Sequence, residues 1–479
     1  MASGRGRASS FGRGRVPSTR LGARVALLTL TGLVAFAAPA PSRAAESGDA
    51  AKAADAASAA GASSAGDGLG AAGAANVAEP VRDDEDRRLE AAHARLVRAV
   101  AEAGEIVKRH PFYRDPVNRA SGFAFLSSML IASLEGEVVG DPDFPLFRIL
   151  DFRIREGGDN PDQRYAFTRI RGDATYRIWG RKGGQRGLEL QVYAGEPWRK
   201  GGGRSVSTLA FEAIEFDADG RFEVFLSPQK RGKNWLANAP DATDVIVRQV
   251  FSDWEKDAPG EVHIDRVGWE GRIKPVATRA EMAERLERAA DELTRSVATW
   301  PDFVLHGYME ARPANTLSLP ADPTAVGGVT GRYMSTGHFA LAPDEALIVT
   351  IWPIDARYQG FQLTDPWFSS LEYANRQTSL SADQAHRSRD GAYRFVVSPS
   401  DPGVQNWLDT AGLPKGAMLI RFDGSRLASF PKEKAPAVEK VKLGEVRAKL
   451  PEDTPAFSST QRAEAIAARR RHVQIRFGN

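Results

Sequence analysis

Residues 222–251 read FEVFLSPQKRGKNWLANAPDATDVIVRQVF, and residues 393–423 read YRFVVSPSDPGVQNWLDTAGLPKGAMLIRFD. Both stretches follow one plan. An alternating apolar run ends in Ser-Pro, at Ser227-Pro228 and Ser398-Pro399. A loop leads to Asn-Trp-Leu at residues 234–236 and 406–408, and a second apolar run closes on Arg248 or Arg421. An Asp-Gly turn precedes each copy, at Asp219-Gly220 and Asp390-Gly391. Alternation with period two is the mark of strands, and a strand–loop–strand unit written twice points to a duplicated architecture.

Working outward, the rest of the chain fits around these two blocks. Leu89, Leu96, Val100, Ala103 and Val107 recur at helical spacing before Pro111, and Phe123, Leu126, Leu130 and Leu134 predict a second helix. Leu188, Leu190 and Val192 alternate with Glu189, Gln191 and Tyr193, the pattern of a strand buried on one face. A third helix is expected over residues 278–298. Thr278 and Glu281 form its capping box, and Met282, Leu286, Leu293 and Val297 its apolar stripe. The fold class expected is mainly β with bracing helices (α+β), as two tandem β-sandwich or jelly-roll-like modules. The segments are a signal peptide (1–44), an Ala/Gly/Ser-rich disordered linker (45–81), a helical segment (82–146) and a first β module (147–276). A bracing helix (277–300), a second β module (301–430) and a tail with a helix (431–479) follow.

The first 44 residues carry arginines ahead of the apolar run 25–38, then Ser42-Arg43-Ala44, the layout of a cleaved secretory leader. The chain has 64 basic and 61 acidic side chains, a net charge of +3. Seven of the arginines and no acid lie in the leader, so the remainder carries −4. The basic character belongs to the leader and gives no footprint for nucleic acid. There is no cysteine, hence no disulfide. A periplasmic or secreted protein is expected, with no transmembrane segment after cleavage.

Chemistry is harder to read. The seven histidines show no metal-ligand spacing, and neither a Gly-x-Ser-x-Gly elbow nor a phosphate loop is present. No metal and no cofactor is therefore expected. The densest constellation is Trp352, Asp355, Arg357, Tyr358, Gln362, Asp365, Trp367, Glu372 and Tyr373. Trp352, Arg357, Tyr358, Gln362, Trp367 and Tyr373 would line an aromatic groove of the second module for a glycan or amphipathic small molecule. Asp365 and Glu372, with Asp409, would form paired carboxylates for a carbohydrate hydrolase or lyase. Asp409 stands in one copy of the repeat only, where the other has Ala237. The bland alternative is that sheet alternation buries the tryptophans and that the carboxylates are solvated. A non-catalytic envelope or assembly role is the third reading. The repeated Asn-Trp-Leu reads as structural, with the Trp plugging a sandwich end and the Asn satisfying loop backbone groups.

The segments IWPIDARYQGFQLTDPWFSSLEY (351–373) and DPGVQNWLDTAG (401–412) resemble a bacterial family catalogued as domain of unknown function number 1214. GDNPDQRYAFTRIRGDATYRIWG (158–180), LSPQKRGKNWL (226–236) and SSTQRAEAIAARRRHVQIRFGN (458–479) are similar to other parts of the same long proteins. The resemblance spans residues 82–479. It implies a jelly-roll-like β architecture and no settled activity, so it assigns no catalytic residue. One position departs from it. Relatives often carry a histidine in an Asn-x-His-x-Ala context, where this chain has Asp383, with His386 three positions on.

Overall fold

The computed structural model describes residues 82–478. The expected leader and linker lie outside them. Helices α1 (Asp84–Arg109), α2 (Val117–Ser133) and α3 (Arg279–Val304) form one layer. Asp83 and Thr278 start α1 and α3 with capping boxes. Arg279 meets Asp83 and Asp86, and Arg95 meets Asp291, so the two helices run side by side in the same direction. α3 continues through Pro301 to Val304, beyond its expected end. The ring removes one backbone donor there, but Pro301 and Val304 are buried in the apolar layer, and that packing outweighs the lost bond. α2 (long and apolar enough to cross a membrane when taken with its extension to Val139) packs here against the other helices, and its extension is the π-turn Leu134–Val139.

The first module runs β1 (Arg148–Leu150), β2 (Gln163–Arg169), β3 (Tyr176–Arg181), β4 (Gly187–Gly195), β5 (Gly203–Leu209), β6 (Arg221–Ser227), β7 (Trp235–Ala237), β8 (Asp244–Val250) and β9 (Glu261–Arg266). The second runs β10 (Thr316–Leu317), β11 (Tyr333–Ala340), β12 (Glu345–Ile351), β13 (Tyr358–Thr364), β14 (Ser379–Ser381), β15 (Tyr393–Ser398), β16 (Trp407–Asp409), β17 (Lys415–Asp423) and β18 (Ala437–Lys442). The first module pairs them as β1-β2-β8-β4-β5 and β7-β6-β3-β9. The second repeats that order nine strands later, as β10-β11-β17-β13-β14 and β16-β15-β12-β18. Even the single parallel pairing recurs, β6 with β7 and β15 with β16. The chain is thus two β-sandwich modules of one topology, as the duplicated sequence implies.

The repeated motif shows why the plan was kept. Asn234 accepts from the Glu215 amide (2.8 Å) and donates to the carbonyls of Glu215 (2.9 Å) and Glu223 (3.1 Å). Asn406 makes the same three bonds, with His386 N (2.7 Å), His386 O (2.7 Å) and Arg394 O (3.1 Å). Each indole donates to the Ser-Pro serine carbonyl, Trp235 to Ser227 (3.2 Å) and Trp407 to Ser398 (3.1 Å). The plug is not the indole, however. Leu236 and Leu408 enter the sandwich cores, because alternation turns the neighbouring Trp to the opposite face. Trp407 is covered there by Val446 and Leu450, next to the short helix α4 (Val446–Lys449). Trp235 stays half-exposed.

The last helix, α5 (Ser459–Phe477), lies against both modules through arginines seven residues apart. Arg462 lies over Trp407 and Phe457, Arg469 over Trp254, and Arg476 over Phe251 and Trp254. Arg469 donates to Tyr373 O (2.9 Å) and Ser379 O (2.9 Å), and Arg476 donates to Pro161 O. In the run Arg469-Arg470-Arg471, Arg470 and Arg471 are exposed, and Arg469 is buried.

His472 sits inside this clamp, its ring stacked 5.2 Å from that of Trp254. Burial, then Arg476 and Arg469, push its pKa from 6.5 down to about 3. The folded value lies below the free one, so the unfolded chain takes up a proton that the native ring refuses. The stability this ring contributes is full above 6.5 and is lost as pH falls toward 3. The urea midpoint of the wild-type chain should fall more steeply on acidification than that of His472→Gln. Equal slopes would show that His472 does not govern the loss.

Candidate functional site

A strand buried on one face was expected at β4, yet Glu189, Gln191 and Tyr193 on its outer face are as buried as Leu188, Leu190 and Val192. The reason is the second module. The outer faces of the two five-stranded sheets face each other, and polar side chains fill the junction. Arg332 donates to Asp423 (2.6 and 2.7 Å) and to Glu189 (3.3 Å), which also receives Arg357 (3.1 Å). Asp162 accepts from Tyr358 Oη (2.7 Å) and Trp254 Nε1 (2.9 Å), and Asn160 Nδ2 donates to Tyr358 Oη (3.1 Å).

The packing is incomplete. A cavity of about 640 Å³ remains between the outer faces, closed on one side by α3 and by the π-turn after α2. Its walls follow from periodicity. Tyr165, Phe167 and Arg169 alternate along β2, and Asp244, Ile246 and Arg248 along β8. Glu292, Ser296, Trp300 and Phe303 form one stripe of α3. Met334, Leu419 and Arg421 come from the second module. Val139 and Leu146, 71% and 83% exposed, form part of an apolar rim. The aromatic rings are continuous, with Trp198 stacked on Trp300 (5.6 Å), Trp300 near Phe368 (5.9 Å) and Phe303 stacked on Phe368 (5.5 Å).

Gly157 and Gly158 make the close approach possible. Both have positive φ (64° and 65°), and a Cβ on Gly158 would stand 2.6 Å from the Phe368 ring. Gly158 N donates to Phe368 O (2.9 Å), and Gly158 O accepts from Arg421 Nη2 (2.6 Å).

The electrostatics are uneven. Glu156 lies deep in the molecule yet is only half-covered, because its remaining surface meets the cavity. It has no ion-pair or hydrogen-bond partner for its carboxyl among the described residues. Burial raises its pKa, with Arg148 opposing. Burial and then Glu292 push Glu196 up to about 7, against the pull of Arg199, 3.1 Å away. Burial likewise raises Asp244, 3.6 Å from Arg169. No group of three His, Asp or Glu side chains fit for a metal ion occurs among the described residues.

The constellation singled out from sequence does not form a groove, and none of its residues lines this cavity. Trp367 is fully buried between helices, its Nε1 donating to Asn118 O (3.0 Å). Tyr358 is spent on Asp162 and Asn160, Arg357 on Glu189 and Glu212, and Gln362 on Arg421 and Asp159 O. Tyr373 packs with Trp254 under α5, and Trp352 is half-buried beyond β12. The three carboxylates also have local duties. Asp365 accepts from Ser369 N (3.0 Å), and burial raises its pKa to about 7. Glu372 accepts from Ala374 N (3.1 Å) and Asn375 N (2.7 Å), and Asp409 from Ala411 N (2.7 Å) and Arg376 (2.7 Å). They cap turns, and no shared cleft gathers them. Asp383, at the position where relatives carry histidine, pairs with Arg186 of the first module.

What sequence reasoning missed is the outer face of the first module. The one available signal was the arginine that closes both copies of the repeat, since Arg248 and Arg421 both line the cavity.

No family model matches the chain, and no curated protein matches it. A crystal structure of an uncharacterized protein from Burkholderia cenocepacia is similar, with 29% identity and a TM-score of 0.69. The match covers 74% of this chain and 99% of that one. The VPA0106 protein from Vibrio parahaemolyticus is 10% identical with a TM-score of 0.39, over 71% of this chain and 100% of that one, a likeness too loose to carry any argument.

Gly158→Ala should cost about 2–4 kcal/mol in chemical denaturation, since it adds a clash with Phe368 to the positive-φ strain. Gly412→Ala, at a positive-φ turn with open space, should cost only about 1 kcal/mol. Equal losses would contradict the close approach.

Proposed function

We propose that this protein binds an amphipathic small molecule in the cavity between its two modules. The observation that carries the reading is the cavity itself: about 640 Å³, walled by continuous aromatic rings and furnished with deep charged groups. Ligand pockets are typically about 300–1,000 Å³, mostly apolar, with a few placed polar groups. The site sits between the modules, and the groove expected on the second module is not part of the reading. Export to the periplasm or the medium belongs to the proposal through the leader sequence, and kinship with the family of unknown function number 1214 through the resembling segments.

A second reading, catalysis, is favoured by one observation. Glu156 is a deep carboxyl with a raised pKa and no hydrogen-bond or ion-pair partner among the described residues, facing a cavity, as a general acid or base would be. It replaces Asp365, Glu372 and Asp409 as the acid to test.

Met334→Trp, at a partly buried wall position, should fill part of the cavity and sharply weaken binding of a fluorescent apolar probe such as anilinonaphthalene sulfonate, while the chain still unfolds cooperatively. Undiminished probe binding would remove the cavity as the site. Glu156→Gln should leave probe binding intact. If any turnover is found in the wild-type chain and persists in Glu156→Gln, the catalytic reading falls.

A further inference from the structure

Arg248 and Arg421 hold equivalent places in the duplicated chain, near the ends of β8 and β17. They are 6% and 7% exposed, and both line the cavity. One partner of each is equivalent too. Arg248 Nη1 donates to Gln191 Oε1 (2.8 Å), as Arg421 Nη1 does to Gln362 Oε1. Arg248 Nη2 donates to Tyr193 Oη (2.9 Å), and Arg421 Nη2 to Gly158 O (2.6 Å). All four acceptors are neutral. Arg332 and Arg357, in the same junction, each hold carboxylates. Arg248 and Arg421 have none within ion-pair distance among the described residues.

Glu189 acts on Arg248, and Asp159 on Arg421, only from beyond ion-pair distance, and a buried cation without a direct ion-pair partner is costly. Each guanidinium has five N–H groups, so two hydrogen bonds leave donors to spare. Tyr165 stands beside them. Its hydroxyl accepts from Asn160 N (3.0 Å), which leaves its own proton to give, and its ring centre lies 6.0 Å from the Arg248 guanidinium carbon.

We propose that Arg248, Arg421 and the Tyr165 hydroxyl bind the carboxylate of an amphipathic acid, whose apolar part lies along Trp300, Phe303 and Phe368 toward the rim at Val139 and Leu146. The inference rests on the cavity reading above and names its ligand class. The competing feature is Glu156, which would select an amine. The chemistry decides between them. An unpaired buried carboxyl discharges itself by taking up a proton, whereas a guanidinium cannot give one up. Glu196, Glu292 and Asp244 already have Arg199, Arg295 and Arg169. Glu137 has Arg169, Asp141 has Lys274, and Asp159 is held by Ser370 N (2.9 Å) and Oγ (2.6 Å). Of the cavity's permanent charges, Arg248 and Arg421 are the two that hydrogen-bond only neutral acceptors among the described residues.

The test is calorimetric titration of the full chain at neutral pH with decanoate, decanol, decylamine and decyl phosphate. Decanoate should bind at least about tenfold more tightly than decanol, the worth of one or two charge-assisted hydrogen bonds. Arg248→Gln and Arg421→Gln should each remove that preference and leave decanol binding in place. Decanoate no tighter than decanol would overturn the inference and spare the cavity reading. Decylamine as the preferred probe would assign the headgroup to Glu156, and decyl phosphate as the preferred probe would replace carboxylate by phosphate; either overturns it. If none of the four binds, the cavity reading itself falls. Should the arginine variants fail to fold, the four-probe ranking on the wild-type chain still decides.

Discussion

Arg332 lies between Asp423 and Glu189, and this buried ion triad joins the two halves of the molecule. Its members come from both modules: Glu189 from β4, Asp423 from β17, and Arg332 just before β11. Each would be a liability alone, because a charge taken out of water is expensive without a partner. Together with Arg357, Asp162 and Tyr358 they satisfy one another across the two polar sheet faces. Everything distinctive about the molecule depends on that meeting. It buries both faces of β4, it sets the place of the cavity, and it gives α5 a seam to close.

The cavity follows from how a duplicated sheet packs on its copy. Two twisted sheets cannot touch everywhere, and the gap is filled by whatever the outer faces carry. Here they carry large rings and charges of both signs, with α3 closing one side. The copies have also diverged in useful ways. Tyr165 in β2 stands opposite Arg248, while its counterpart in β11 is Met334, opposite Arg421. One half of the junction therefore offers a hydroxyl where the other offers a thioether.

Much of the fold was legible in the sequence. The Ser-Pro and Asn-Trp-Leu repeats marked equivalent strands, and the Thr278–Glu281 box marked the start of α3. These signals are local: alternation, capping and turn chemistry act over a few residues. The junction was not legible, because nothing in Glu189, Gln191 and Tyr193 distinguishes a face turned to water from one turned to a second polar sheet. For the same reason the aromatic cluster around Trp367 was mistaken for a groove when it is the seam between the helices and the second module. The arginine stripe 462–469–476 was legible in principle, since a seven-residue spacing keeps all three on one helix face. Charge alone does not mark these positions as buried, yet the flat guanidiniums stack on Trp407, Trp254 and Phe251 and bond to backbone carbonyls.

A double-mutant cycle at Arg332 and Asp423 tests the joining of the modules most directly, with urea denaturation of the wild-type chain, Arg332→Met, Asp423→Leu and the pair. Each single change should cost about 3–5 kcal/mol, because it strands a buried charge, and the double change should recover much of that loss. Strictly additive costs, or single changes that cost nothing, would mean that the two sheets do not meet through these charges.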